Sequence, residues 1–82
     1  MEIKILGTGC AKCRSLEKLT RDVVREEKID ADIIKVENIQ DIMKYHIMVT
    51  PALVINEQVE MKGRVPSVKE LKELLSKYNT TK

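Results

Sequence analysis

Cys10 and Cys13 are the only thiols in this chain, in the run Lys4-Ile5-Leu6-Gly7-Thr8-Gly9-Cys10-Ala11-Lys12-Cys13. An apolar stretch gives way there to a helical pattern. A helix N-terminus carries unpaired N–H groups and the positive end of the macrodipole. A thiolate at that point is stabilised, its pKa falls below the free value of about 8.5, and it becomes a nucleophile near neutral pH. Lys12, within a turn of both sulfurs, is a second source of stabilising charge. A second thiol one turn on is close enough to attack a mixed disulfide formed on the first. The pair therefore suits two-step thiol–disulfide exchange. The same two thiols would also hold Cu(I) linearly, or zinc if a second copy supplied two more ligands. Two inert buried thiols are the third reading.

The elements that must position these thiols follow from the apolar pattern. Ile3, Ile5 and Leu6 form a first strand that ends at Gly7. A helix is predicted from about Cys10 to Lys28, with Cys13, Leu16, Leu19, Val23 and Val24 at helical spacing and Asp30 as its stop. Ala31 to Val36 reads as a second strand. A helix between two apolar strands is a βαβ unit, so these strands should be parallel. Asn38 caps a short helix whose apolar face is Ile39, Ile42 and Met43, and which must stop before Pro51. Ala52-Leu53-Val54-Ile55 is a continuous apolar run, as in an interior strand. Asn56-Glu57 fits a two-residue turn, and Val59 and Met61 alternate with polar residues, as in an edge strand. Ser67 and Glu70 make a capping box ahead of a last helix striped by Val68, Leu71, Leu74, Leu75 and Tyr78. The tail from Asn79 to Lys82 should fray.

The order is β-α-β-α-β-β-α, an α/β chain with a four-stranded mixed sheet and helices on both faces. Its 82 residues fit a single domain, 1–82, large enough to bury one core. A net charge of +2 is too small to argue for nucleic acid, and the signs are interleaved along the helices. No apolar stretch approaches the roughly 20 residues of a membrane span, and the start lacks a signal-peptide pattern. These features lead to the expectation of a cytoplasmic monomer with no nucleic-acid or membrane partner. Two close cysteines in that compartment point to catalysis or metal binding rather than a structural staple.

Two separate stretches carry a family resemblance. One is the Cys-x-x-Cys after the first strand; the other is Tyr45-His46-Ile47-Met48-Val49-Thr50-Pro51-Ala52-Leu53. Together with the element order they resemble the thioredoxins, and among them the small, glutaredoxin-sized archaeal type. The resemblance implies a thioredoxin-like fold and a protein disulfide oxidoreductase. It implies that Cys10 attacks, that the more buried Cys13 resolves, and that Thr50-Pro51 is a cis peptide facing the pair. Such a proline offers no N–H, and the Thr50 backbone beside it can pair with an extended target peptide. Gly63 falls where thioredoxins place a glycine near the active site. The implied partners are disulfide-containing proteins and a thioredoxin-reductase-type flavoprotein, with no cofactor bound by this chain itself.

Departures from the family pattern are specific. Gly9 stands where a tryptophan is usual, and Ala11-Lys12 fills the space between the cysteines. No buried acid can be placed behind the pair. Lys62-Gly63-Arg64 lacks the paired glycines and aspartate that hold glutathione in glutaredoxins. Among the remaining residues, His46 reads as a packed or half-exposed structural histidine in register with Ile39, Ile42 and Met43. Tyr45 reads as a packing residue, and Met43, Met48 and Met61 as core or groove filler. Met48 and Val49 form a candidate apolar lip beside Cys10. Arg64 either meets a partner's charge or is simply solvated.

Overall fold

The computed structural model describes residues 1–7 and 11–79. The elements are β1 (Glu2–Leu6), α1 (Ala11–Glu26), β2 (Asp32–Val36), α2 (Ile39–Met43), β3 (Ala52–Ile55), β4 (Gln58–Lys62) and α3 (Val68–Asn79). The expected order is therefore present. Of the tail expected to fray, Asn79 is instead the last residue of α3, because the helix runs one residue further than the sequence pattern indicated, and 80–82 lie outside the described residues.

The sheet order is β2-β1-β3-β4. β1 and β2 are parallel, with Ile3 against Ile33 and Leu6 against Val36. β3 runs antiparallel to both β1 and β4. β3 lies inside the sheet and all of its side chains are buried, as its unbroken apolar run requires.

Alternation along β1 and β3 builds two cores. Ile3, Ile5, Leu53 and Ile55 face Leu16 and Val23 of α1 and Leu71 and Leu75 of α3. Leu6, Ala52 and Val54 face the other way, against Ile42 of α2 and Ile47. Helices thus cover both faces, but unequally. On the α2 side Lys4 reaches over the sheet, donating to Tyr45 Oη at 2.8 Å and to Glu57 Oε2 at 2.7 Å. Tyr45 Oη in turn donates to Glu57 Oε1 at 2.9 Å. Tyr45 packs as expected, and its hydroxyl also ties the end of α2 to the β3–β4 turn. Glu57 first, then Tyr45, pushes the Lys4 ammonium above its ordinary pKa.

Several boundaries differ from the sequence expectation, each for a local reason. α1 stops at Glu26, short of Lys28, which takes φ 53°. Ile29 N–H donates to Val24 O at 3.0 Å and Lys28 N–H to Arg25 O at 3.3 Å. That is a Schellman ending with a lysine in the position glycine usually fills, sealed by the buried Ile29. Asn56 and Glu57 take φ 50° and 69°, so the two-residue turn is of the left-handed hairpin type. A bulge between the Leu53 and Val54 pairings breaks the alternation of β4. Met61 packs on the core while Val59 is 40% exposed. His46 is exposed at φ 60° in the turn after α2, rather than packed on the helix register.

The capping box of α3 forms as expected. Glu70 N–H donates to Ser67 Oγ at 3.2 Å, and Ser67 N–H donates to Glu70 Oε1 at 3.1 Å. Arg64 is exposed, as a solvated arginine would be, but it is also engaged within the chain. Its guanidinium grips Glu70 in a two-point contact of 3.0 and 2.8 Å. That grip, then the Ser67 N–H, holds the Glu70 carboxyl down to about 2.

Candidate active site

The cysteine end of the sheet is where β1 finishes, α1 begins and β3 starts. Cys10 lies outside the described residues, as do Thr8 and Gly9. Cys13 sits one turn into α1 and is only 4% exposed. Its burial follows from its place on the same stripe as Leu16, Thr20 and Val23, which faces the sheet. Among the described residues Thr20 is the sole buried polar side chain, and its hydroxyl is satisfied by Leu16 O at 2.7 Å. No buried carboxylate therefore stands behind Cys13 among the described residues.

Gly7 is the residue that the sequence pattern marked only as the end of the first strand. A Cβ built on Gly7 would lie 2.2 Å from Cys13 Sγ and 3.9 Å from Thr50 Cβ. The sulfur thus occupies the space that any other side chain at position 7 would need. Gly7 N–H donates to Val36 O at 3.0 Å, so the backbone is fixed there by the sheet. The signal was present in the sequence as a glycine closing a strand just ahead of a buried sulfur. It could not be read without knowing that the helix folds back over the strand end.

Thr50 and Pro51 come to the same place. The Thr50–Pro51 peptide is cis. Pro51 is buried and Thr50 is exposed. Gly63, at φ 81°, donates its N–H to Pro51 O at 2.8 Å. A Cβ on Gly63 would press within 3.3 Å of Val49 Cγ2. Glycine meets two demands at once there, the left-handed backbone and the close approach. The structure therefore brings Cys13, Thr50, Pro51 and Gly63 to one end of the sheet, with Gly7 as the shared floor. Lys12 is exposed in the first turn of α1.

Next to this floor the surface is apolar. Met48 is 90% exposed and Val49 49% exposed. Ile39 and Met43, expected to pack as the inner face of α2, are 62% and 58% exposed. α2 is only five residues long, so it can turn just Ile42 fully into the core. The others, with Ile47, Met48 and Thr50, line a groove of about 270 Å³. Met43 and Met48 are thus groove residues, while Met61 is core. Among the described residues no cluster of three or more His, Cys, Asp or Glu side chains is placed to hold a metal ion. No described helix is long and apolar enough to cross a membrane.

The comparison with known proteins agrees with this architecture. The thioredoxin-domain family model matches residues 1–76. The chain belongs to the thioredoxin family. It is 40% identical over 76 residues to a thioredoxin of Methanothermobacter thermautotrophicus, covering 93% of this chain and 99% of that protein. It is 38% identical over 76 residues to a thioredoxin of Methanocaldococcus jannaschii, covering 93% of this chain and 87% of that one. Among solved structures, thioredoxin 1 of the thermophilic eubacterium Thermosipho africanus superposes with a TM-score of 0.67 at 20% identity, over 95% of this chain and 93% of that one. That likeness speaks for the fold. Membership of the thioredoxin family makes the chain a thiol–disulfide oxidoreductase.

Proposed function

We propose that this chain reduces disulfides in other proteins through Cys10 and Cys13. Cys10 thiolate attacks one sulfur of a substrate disulfide. The substrate S–S bond breaks, a mixed disulfide forms on Cys10, and the departing sulfur takes up a proton. Cys13, as thiolate, then attacks Cys10 sulfur and releases the second substrate thiol. Two electrons have passed to the substrate, and a Cys10–Cys13 bridge remains. A separate flavin-dependent reductase of the thioredoxin-reductase type restores the dithiol. The cytosol is the compartment whose reducing poise suits such a cycle.

The observation that carries this reading is the placement of Cys13. Its sulfur is buried against Gly7 beside the Thr50–Pro51 loop. A thiol so enclosed has no path to a bulky disulfide, yet suits displacement of a partner already captured one turn away. Position 10 immediately precedes Ala11, where α1 begins, and the first turn of α1 contains no acidic residue. Nothing in that turn opposes an anion, and Lys12 adds positive charge. Both features favour a Cys10 thiol titrating below the free-cysteine value. Thr50, Pro51 and Gly63 form the shelf on which an extended substrate segment lies, its backbone pairing with that of Thr50.

Reduction of insulin disulfides with dithiothreitol as electron donor tests the proposal. The wild-type chain should accelerate insulin precipitation over dithiothreitol alone, and Cys10→Ser should abolish the acceleration. A Cys10→Ser variant as active as wild type would overturn the assignment.

A further inference from the structure

Several cations around the cysteine end of the sheet are paired with carboxylates. Lys35 is tied to Glu37 at 3.1 Å, Lys44 to Asp41 at 3.3 Å, and Arg64 to Glu70 at 2.8 Å. Their charge is locally neutralised. Lys12 and Lys62 are exposed, and among the described residues neither makes an ion pair. Lys62 is in register with Ala52, the residue after Pro51, and Gly63 N–H anchors that end of β4 to Pro51 O at 2.8 Å. Lys12 precedes Cys13 on α1, and Cys13 sulfur rests on Gly7 beside Thr50. Lys62 thus stands on the β4 side of the Thr50–Pro51 loop, and Lys12 in the first turn of α1, which carries Cys13, each exposed and without an ion pair among the described residues. The α2 side is closed by Met48, 90% exposed and uncharged.

We infer that Lys62 and Lys12 form a cationic rim that selects protein disulfides flanked by acidic residues. This deepens the proposed disulfide reduction and rests on it. Exposed charges at such a rim act on encounter and register more than on the bond exchange itself. Their influence reaches about one Debye length, roughly 10 Å at 0.1 M salt, which covers the residues on either side of a captured disulfide. The apolar lip supplies contact area without regard to sign, so discrimination falls to the two lysines.

Three disulfide-cyclised peptides, identical except for Glu, Gln or Lys on both flanks of the disulfide, provide the test. Each is reduced by the chain with dithiothreitol as donor, at low salt and at 0.5 M salt. At low salt the Glu peptide should be reduced about three- to tenfold faster than the Lys peptide, with the Gln peptide between. The ratio should shrink towards unity at 0.5 M salt. In K62E, which leaves the rim with one positive and one negative charge, the Glu-to-Lys ratio should fall towards unity even at low salt, a comparison made within one protein and so independent of how much of the variant is active. Equal wild-type rates for all three peptides would overturn the rim while leaving disulfide reduction standing. A ratio insensitive to both salt and K62E would overturn it too. Failure to reduce any peptide, the Gln peptide included, would overturn the proposed activity and the rim together.

Discussion

Gly7 and Cys13 share one space: a methyl group on the Gly7 backbone would lie 2.2 Å from Cys13 Sγ and 3.1 Å from Cys13 Cβ. The floor of the site is therefore backbone, and the sulfur is held by the absence of a side chain. Gly7→Ala must displace either the sulfur or the start of α1. Overpacking of this kind costs about 1–3 kcal/mol. In a chain of this length that is a fall in Tm of about 4–8 °C per kcal/mol. Thermal unfolding followed by circular dichroism checks it, and an unchanged Tm would show that the sulfur has room to move.

The Arg64–Glu70 contact makes stability depend on acid in a defined direction. Glu70 is held at about 2, below its ordinary 4.5, first by Arg64 and then by the Ser67 N–H. A carboxylate depressed in the folded state contributes fully above its unfolded value and loses that contribution as pH falls through its folded value. Wild type should thus exceed Glu70→Gln in urea midpoint near neutrality. The difference should shrink between pH 4.5 and 2. Urea titrations of both proteins across that interval check this, and a gap that widened with acid would contradict it.

Lys28 occupies the left-handed position that ends α1, at φ 53°. A side chain there pays a conformational cost that glycine avoids, and the Lys28 side chain is exposed. Lys28→Gly should raise stability by up to about 1 kcal/mol. Equilibrium denaturation measures it, and a loss of stability would mean that the lysine makes a contact worth more than the strain.

Leu53 and Met48 should separate stability from recognition. Leu53 is fully buried, and Leu53→Ala should cost about 2–5 kcal/mol. Met48 is 90% exposed beside Thr50, so Met48→Ala should change stability by less than about 0.5 kcal/mol. Its effect should appear instead as a raised KM for protein disulfides. Denaturation and insulin-reduction kinetics on both variants check this, and a large unfolding effect of Met48→Ala would contradict it.

Much of the fold was legible because each element carries its own pattern. The buried run Ala52–Ile55, the Ser67–Glu70 capping box and the βαβ spacing of Ile3 to Val36 each dictate one local structure, and these agree. What was not legible depended on backbone geometry without a residue signature. Lys28 and Glu57 adopt left-handed conformations usually given to glycine. The bulge in β4 moved Val59 outward against its alternation. At the site, the spacing of the two cysteines pointed to Cys13, and the family resemblance to Thr50, Pro51 and Gly63. The role of Gly7 emerged only when α1 was seen to fold its sulfur onto the strand end.

Covalent trapping reads the division of labour between the two sulfurs most directly. Cys13→Ser, mixed with a disulfide-bearing protein, should accumulate a mixed disulfide on Cys10, identified by peptide mass mapping. Cys10→Ser should accumulate none on Cys13, whose sulfur is buried against Gly7. Adducts forming equally on both remaining thiols, or only in Cys10→Ser, would contradict the account at its centre.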